Sequence, residues 1–339
     1  MQKPVKSNPM KIAVVGATGL VGRQMIQLLE QSKTDNIDLI PVATAQSLGK
    51  KILFRGREIT VTGIEKAIQL KPDVALFSAG GGTSNQYAPL FAAQGTYVID
   101  NSSAWRREKD VPLVVPEVNG DIIKPEDYII ANPNCSTIQL VMALAPVQKQ
   151  FGIKRVVVST YQSVSGSGKK AIQQMEAERR GEEAEKVYPW PIDKNLIPHG
   201  GDFLDNGFTM EEDKLLFESR KILDCQEMEV AATVVRVPVT GGHSISAAIE
   251  CKKACPASEV TNLLHSMAGV KVIDNPRNNE YPMPLFAEGK DEVFVGRIRN
   301  DLFRPDIIHM WIVSDNLRKG AATNAVQILE SLIDHKFFA

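Results

Sequence analysis

The stretch "KIAVVGATGLVGRQMIQLLEQ", Lys11 to Gln31, carries the strongest architectural signal in the chain. Lys11 to Val15 reads as a buried strand, "GATGLVG" as a glycine turn, and Leu20, Met25, Ile26, Leu28 and Leu29 as the inner stripe of a helix. Gly16, Gly19 and Gly22 recur every third residue, so the backbone can approach a pyrophosphate at the helix N-terminus, where unpaired N–H groups favour an anion. Such a glycine run alone is a weak signal. Directly after an apolar strand it points to dinucleotide binding, against the plainer reading that the glycines serve only close helix packing.

"IDLIPVAT" (Ile37 to Thr44) reads as a second strand. A dinucleotide fold places at its end the residue that meets the adenosine ribose, and no acid is there. Thr44, Gln46, Ser47, Lys50 and Lys51 offer neutral donors and positive charge, which leans towards NADP over NAD; the competing reading is a solvated loop. "PDVALFSAGGG" (Pro72 to Gly82) reads as a strand ending in a flexible loop before the helix "SNQYAPLFAAQ", and "TYVIDNSSAWR" as a strand from Thr96 to Ile99 before a polar loop. Strands alternating with helices predict a parallel sheet with ligands at the strand carboxyl ends.

"NPNCST", Asn132 to Thr137, places a cysteine after a turn and ahead of Ile138, Val141, Met142 and Ala145 at helical spacing. Cys135 is therefore expected in the first turn of a helix. Most free cysteines are inert small hydrophobes, but a helix start favours a thiolate. A nucleophile needs partners elsewhere. Beyond this helix, "IKRVVVSTYQSVSGSG" is a strand leaving Gln162, Ser165 and Gly166 in a loop, followed by a charged helix. "VAATVVRVPV" and "HSISAAIECKK" read as strands without intervening helices, which predicts an α+β second domain with an antiparallel or mixed sheet. "NLRKGAATNAVQILESLI" reads as a helix whose stripe Ala325, Val326, Ile328, Leu329 and Leu332 returns to the first domain. The expected domains are 1–133, 134–315 and the returning segment 316–339.

At 339 residues the chain accommodates two domains. Composition is ordinarily globular, and a net charge of −1 gives no electrostatic footprint for nucleic acid, so a small-molecule partner is expected. Four scattered cysteines predict a reducing compartment rather than a disulfide framework. "CKKAC", Cys251 to Cys255, would supply half a metal site, but no second Cys/His pair is nearby, and no metal is expected. The opening "MQKPVKSNPM" has no apolar core of signal length, and no long apolar run occurs, so a soluble cytosolic protein without membrane contact is expected.

Taken in order, "GATGLVG", "SAGGG", "NSSAWR", "NPNCST", "STYQSVSGSG", "NGFTMEEDK", "RVPVTGGH", "YPMP", "VGRIR" and "VSDNLRKGAATNAVQI" resemble the aspartate-semialdehyde dehydrogenase family across nearly the whole chain. The resemblance implies a Rossmann-like dinucleotide-binding domain, followed by a substrate and dimerisation domain like that of glyceraldehyde-phosphate dehydrogenase. It implies NADP-dependent reductive dephosphorylation of L-aspartyl 4-phosphate to L-aspartate 4-semialdehyde, on the route to lysine, threonine, methionine and diaminopimelate, by a homodimer or a dimer of dimers.

Residue by residue, Cys135 matches the nucleophile that forms an acyl-thioester, Gln162 the residue that orients the substrate, and His243, on a loop after Gly241 and Gly242, the general acid/base. Arg106 and Lys214 match phosphate binders, Arg236 the partner of the α-carboxylate, and Glu211 the partner of the ammonium, with Glu212 one place away. Asn134 and the Cys135 N–H are the candidate oxyanion donors. Gly16 belongs to the glycine turn, and Thr18, Gly19, Leu20, Val21, Gln46, Ser47, Ser165, Gly166 and Asn316 match NADP contacts. Gln46 departs from the basic residue many members carry there, which leaves NAD open as a second cofactor. N-acetyl-glutamyl-phosphate reductase runs similar chemistry, but its cysteine is followed by Tyr and Pro, whereas Ser136 and Thr137 follow here. Glyceraldehyde-phosphate dehydrogenase lacks "SAGGG" and "VSDNLRKGAA". A non-catalytic dinucleotide-binding paralogue would be expected to lose Cys135 or His243.

Overall fold

The computed structural model describes residues 9–32, 34 and 36–338. The reading of residues 1–8 as lacking a signal core lies outside them. The chain divides into two compact units. One takes the chain up to Pro116, Gly120–Asn132 and Ala322 onward; the other takes Glu117–Asn119 and Pro133–Ala321.

In the N-terminal unit the strands are β1 (Met10–Val15), β2 (Ile37–Val42), β3 (Lys51–Phe54), β4 (Arg57–Thr60), β5 (Val74–Phe77), β6 (Tyr97–Asp100) and β7 (Ile129–Ala131). Five of them form one parallel sheet in the order β2-β1-β5-β6-β7. Strands buried on both faces explain the continuous apolar runs. Ile12 and Val14 enter one core with Met25 and Leu29 of the helix Leu20–Gln31 and with Ala325, Ile328, Leu329 and Leu332 of the helix Thr323–Asp334. Ala13 and Val15 enter the opposite core with Ala75, Phe77, Ala88 and Phe91, where the Phe77 and Phe91 rings meet edge to face at 5.5 Å.

Two local features depart from the expectation. The glycines of "SAGGG" are not all loop, because a helix runs Gly81–Ala92 with Gly80 (φ +84°) at its N-cap. Lys51 belongs to a β3–β4 hairpin that alternation had not revealed, turned by Arg55 (φ +48°) and Gly56 (φ +75°), and it pairs with Glu58 at 2.5 Å.

The C-terminal unit holds β8 (Ile153–Gln162), β9 (Glu229–Arg236), β10 (His243–Cys251), β11 (Val270–Val272), β12 (Val293–Asn300) and β13 (Ile307–Ser314). Their order is β11-β12-β13-β10-β8-β9, with β8–β9 and β11–β12 parallel and the other pairs antiparallel: a mixed sheet. One face packs on the helix Cys135–Phe151, which also meets the helices Met210–Ile222 and Ala257–Ser266. That helix is buried without interruption from Ser136 to Leu144, so the polar Ser136, Thr137 and Gln139 lie inside with the apolar residues. On the other face Arg155, Val157, Ser159, Tyr161, Thr233, Ser246 and Trp311 are partly or fully exposed.

The chain returns to the N-terminal unit at Ala322 rather than at residue 316. Residues 315–321 stay behind because the C-terminal unit binds them, and Arg318–Ala322 form a five-residue π turn where a continuous helix was expected. No helix among the described residues is long and apolar enough to cross a membrane.

Candidate active site

Cys135 is the first residue of its helix, and Asn134 is the N-cap. Asn134 Oδ1 accepts from the N–H groups of Ser136 (2.9 Å) and Thr137 (3.4 Å), which locks the turn that presents the cysteine. The Asn134 N–H donates to buried Glu218 at 2.7 Å, and Asn134 Nδ2 donates to Glu211 Oε2 at 2.8 Å. Asn134 therefore brings one uncommitted amide hydrogen, rather than a whole side chain, to the expected oxyanion role. Cys225, Cys251 and Cys255 are buried while Cys135 is not, and burial pushes those three thiols up, away from thiolate chemistry.

Strand ends bring the partners together. Gln162 ends β8 opposite Arg236, which ends β9, and His243 opens β10 beside Ser244, the partner of Tyr161. His243 is thus a strand residue with no exposed surface rather than a loop residue. Gln162 Nε2 donates to Ser136 Oγ at 2.9 Å, tying the strand to the helix start beside Cys135. The Ser163 N–H donates to His243 Nδ1 at 3.1 Å, so the neutral ring carries its proton on Nε2. Burial, helped by the Arg236 charge, lowers the His243 pKa to about 3.

Two buried polar atoms, His243 Nε2 and Arg236 Nη1, have no hydrogen-bond partner among the described residues. Both converge on Gly166, where a Cβ would lie 3.1 Å from each. Buried donors left unpaired in this way are costly, and a bound water, ion or ligand between them would satisfy both. Gly166 keeps open the place where the imidazole and the guanidinium meet.

The helix Met210–Ile222 gives the two adjacent acids different partners. Glu212 closes a capping box with Thr209 and accepts the Val234 N–H at 2.9 Å, so its carboxylate is consumed by the fold. Glu211 holds Asn134 with one oxygen and Lys214 with the other, at 2.5 Å. Lys214 and Glu211 thus form one local pair of opposite charges beside the cap of Cys135.

In the N-terminal unit, the glycine turn lines a cavity of about 500 Å³ with Val42, Thr44, Ala45, Glu65, Ser78, Thr83 and Tyr87. Gly16 sits at φ +93°, and a Cβ there would lie 2.3 Å from the Ser78 carbonyl oxygen. A Cβ on Gly22 would lie 2.1 Å from the Gly16 oxygen, so glycines clear both the cradle and the helix packing behind it. Gly19 caps the helix that Leu20 and Val21 begin, and Thr18 and Gly19 line the cavity. The cradle fits a pyrophosphate at a helix N-terminus. Beside it, exposed Gln46 and buried Ser47 form a short 3-10 turn, and Lys50 donates to Ser47 Oγ at 3.3 Å. Arg106 is buried in this unit and donates to the Asn101 carbonyl at 3.0 Å.

A model of the semialdehyde dehydrogenase NAD-binding domain matches residues 11–125, and a model of the semialdehyde dehydrogenase dimerisation domain matches residues 144–319. The aspartate-semialdehyde dehydrogenase of Aquifex aeolicus is 52% identical over 333 residues, 95% of this chain and 98% of its own. The chain belongs to the aspartate-semialdehyde dehydrogenase family. Its structure resembles the crystal structure of aspartate semialdehyde dehydrogenase II complexed with ASA from Vibrio cholerae, with a TM-score of 0.91, 41% identity and coverage of 97% and 99%. The Candida albicans family member, solved with NADP, has a TM-score of 0.78 and 27% identity, covering 98% and 100%. The nicotinamide-dinucleotide domain and the mixed-sheet domain thus stand as expected.

Other members of the site in this aspartate-semialdehyde dehydrogenase relative were not anticipated. Ser163 sets the His243 tautomer, Ser136 receives Gln162, and Glu218 holds the Asn134 backbone. Glu218 was detectable, because it shares the buried stripe of its helix with Leu215, Ser219 and Ile222, and an acid on a core face needs a partner. Ser163 and Ser136 carried no such signal. Among the described residues no cluster of three or more His, Cys, Asp or Glu side chains is placed to hold a metal.

Proposed function

We propose that this enzyme reduces L-aspartyl 4-phosphate to L-aspartate 4-semialdehyde with release of phosphate, using NADP, through a thioester on Cys135. The observation that carries the reading is the convergence of unpartnered His243 Nε2 and Arg236 Nη1 over Gly166, on strands whose neighbour Gln162 is tied to the turn presenting Cys135.

The Cys135 thiolate attacks the acyl carbon and phosphate leaves with the bonding electron pair. The resulting thioester accepts hydride where a carboxylate does not. When bound, the reduced cofactor supplies that hydride. The oxyanion formed at each addition is held by the helix-start N–H of Cys135 and by the remaining Asn134 amide hydrogen, and His243 Nε2–H donates to it. Collapse of the second adduct returns the thiolate and frees the aldehyde. Because Nδ1 already accepts a hydrogen bond, the neutral imidazole acts first as a donor rather than as a base.

Gln162 orients the acyl group. Arg236 pairs with the α-carboxylate as a planar fork, and Glu211 takes the ammonium. Lys214 is proposed for the phosphate, and Arg106 for the same group on its charge and on the resemblance. Ser165, Gly166 and Asn316 are proposed cofactor contacts of the C-terminal unit. Thr18, Gln46 and Ser47 are proposed contacts of the N-terminal unit, with Lys50 favouring a 2′-phosphate. The half-exposed outer face of the mixed sheet is proposed to pair with a second copy, in keeping with the dimerisation-domain match. Four free cysteines fit a reducing compartment and a place in lysine, threonine, methionine and diaminopimelate synthesis.

The deciding experiment follows NADPH formation from aspartate semialdehyde, with and without inorganic phosphate, for wild type and Cys135→Ala. Phosphate-dependent turnover that vanishes in the variant is expected. Wild type without such turnover, or a variant that retains it, refutes the reading.

A further inference from the structure

The segment that follows β13 lies against Cys135 directly and reaches His243 through the residues that flank it. Asn316 is buried, and its Oδ1 accepts from Ser163 Oγ (3.0 Å), Ser165 Oγ (3.2 Å) and the Gly242 N–H (3.1 Å). Ser163 Oγ lies 3.0 Å from His243 Nδ1, so Asn316 grips the residues on either side of the imidazole. Four residues later Gly320 lies against the nucleophile: a Cβ there would fall 2.9 Å from Cys135 Cβ and 3.4 Å from its Cα. Gly320 has no positive φ, so a side chain is barred by Cys135 and not by the backbone.

Gly320 lies inside a π turn, Arg318–Ala322, a rare conformation that here has support from outside the turn. That support is ionic and partly buried. Lys319, with no exposed surface, places Nζ 2.9 and 2.7 Å from the two oxygens of Glu117. Arg318 forks Asp291 at 3.0 and 2.7 Å. Asp315 accepts from the N–H groups of Leu317, Arg318 and Gly289. A buried ammonium is a costly way to hold a turn, and an apolar residue would pack there more cheaply. What the pair provides is a fixed register.

We propose that Asp315–Gly320, anchored by Lys319 on Glu117, is a positioning clamp that sets Cys135 through Gly320 and His243 through Asn316. The inference rests on the assignment of these two residues as nucleophile and acid. It gives Asn316 a role independent of any cofactor contact.

Two variants test it in the full-length enzyme. Gly320→Ala forces Cys135 to move by a few tenths of an ångström; kcat is expected to fall ~10-fold, since ~1 Å of misplacement costs about a hundredfold. The rate at which iodoacetamide alkylates Cys135, measured without substrate or cofactor, is expected to change with it, while KM for NADP holds. Asn316→Ala is expected to alter the pH profile of kcat. Thermal melts confirm that both variants fold, and Asn316→Ala remains informative if Gly320→Ala does not. Wild-type alkylation and kcat in Gly320→Ala overturn the clamp. So does an Asn316→Ala variant that changes only KM for NADP and keeps the wild-type pH profile. The Cys135→Ala control separates these failures from failure of the functional reading, because only the latter leaves phosphate-dependent turnover without the thiol.

Discussion

The backbone N–H of Ser163 donates to Nδ1 of His243 at 3.1 Å, and this one bond decides which face of the imidazole can act. A main-chain donor cannot reverse its role, so the ring proton of the neutral form sits on Nε2, next to Arg236 and over Gly166.

Burial of His243 makes the stability of the fold depend on pH. The folded-state pKa of His243 is lowered from 6.5 to about 3, by burial and then by Arg236. Between those values the unfolded chain binds the extra proton, so this group's contribution to stability is complete above pH 6.5 and is lost as pH falls towards 3. Urea unfolding of wild type and His243→Gln is expected to show the stability difference shrinking over that window. The kcat profile for reduction is expected to have no His243 limb near 6.5; such a limb, abolished in His243→Gln, contradicts the donor assignment.

Adjacent acids give a second prediction. Glu211→Gln is expected to raise KM for aspartate semialdehyde with little change in melting temperature, because its oxygens face Asn134 and Lys214 at the site. Glu212→Ala is expected to cost ~1–3 kcal/mol of stability by opening the capping box and stranding the Val234 N–H, with KM nearly unchanged. Denaturant melts and steady-state kinetics on both variants check the contrast. Equal effects on both parameters would contradict it.

How far the sequence reveals this molecule depends on the range of the interaction involved. The doubly wound half was legible because its strands alternate into two cores, Ile12 and Val14 to one side, Ala13 and Val15 to the other, and the helix stripes match. Cys135 at a helix start was legible from the turn before it and the helical spacing after it. The β3–β4 hairpin escaped because neither strand alternates cleanly, and the π turn escaped because Lys319 answers to Glu117, 202 residues earlier. The tautomer of His243 rests on an N–H 80 residues away. Long-range pairings of this kind have no local periodicity to betray them.

Glu218 supplies the third prediction. Its Oε2 accepts the buried Asn134 N–H at 2.7 Å, so Glu218→Ala leaves that donor unpaired directly before Cys135. A loss of ~1–3 kcal/mol in unfolding free energy is expected, together with a lower kcat. Glu218→Gln retains an acceptor oxygen and is expected to recover most of the kcat. If Ala and Gln variants lose kcat equally, charge rather than the hydrogen bond is what matters there.

Cofactor choice gives the last. The strand-end reading counted both Lys50 and Lys51 as positive charge for a 2′-phosphate, but Lys51 is engaged with Glu58 across the hairpin, while Lys50 reaches Ser47 beside the dinucleotide cavity. Lys50→Ala is therefore expected to weaken NADP binding about tenfold, the value of one charge-assisted hydrogen bond, and to leave NAD binding unchanged. Lys51→Ala is expected to affect neither. Fluorescence titration of each variant with both dinucleotides decides the matter without turnover, and equal losses for NADP and NAD in Lys50→Ala would place that lysine on the shared part of the cofactor. Gly16→Ala serves as the control for the cradle. Its Cβ would meet the Ser78 oxygen at 2.3 Å from a left-handed backbone position, so binding of both dinucleotides is expected to fail together.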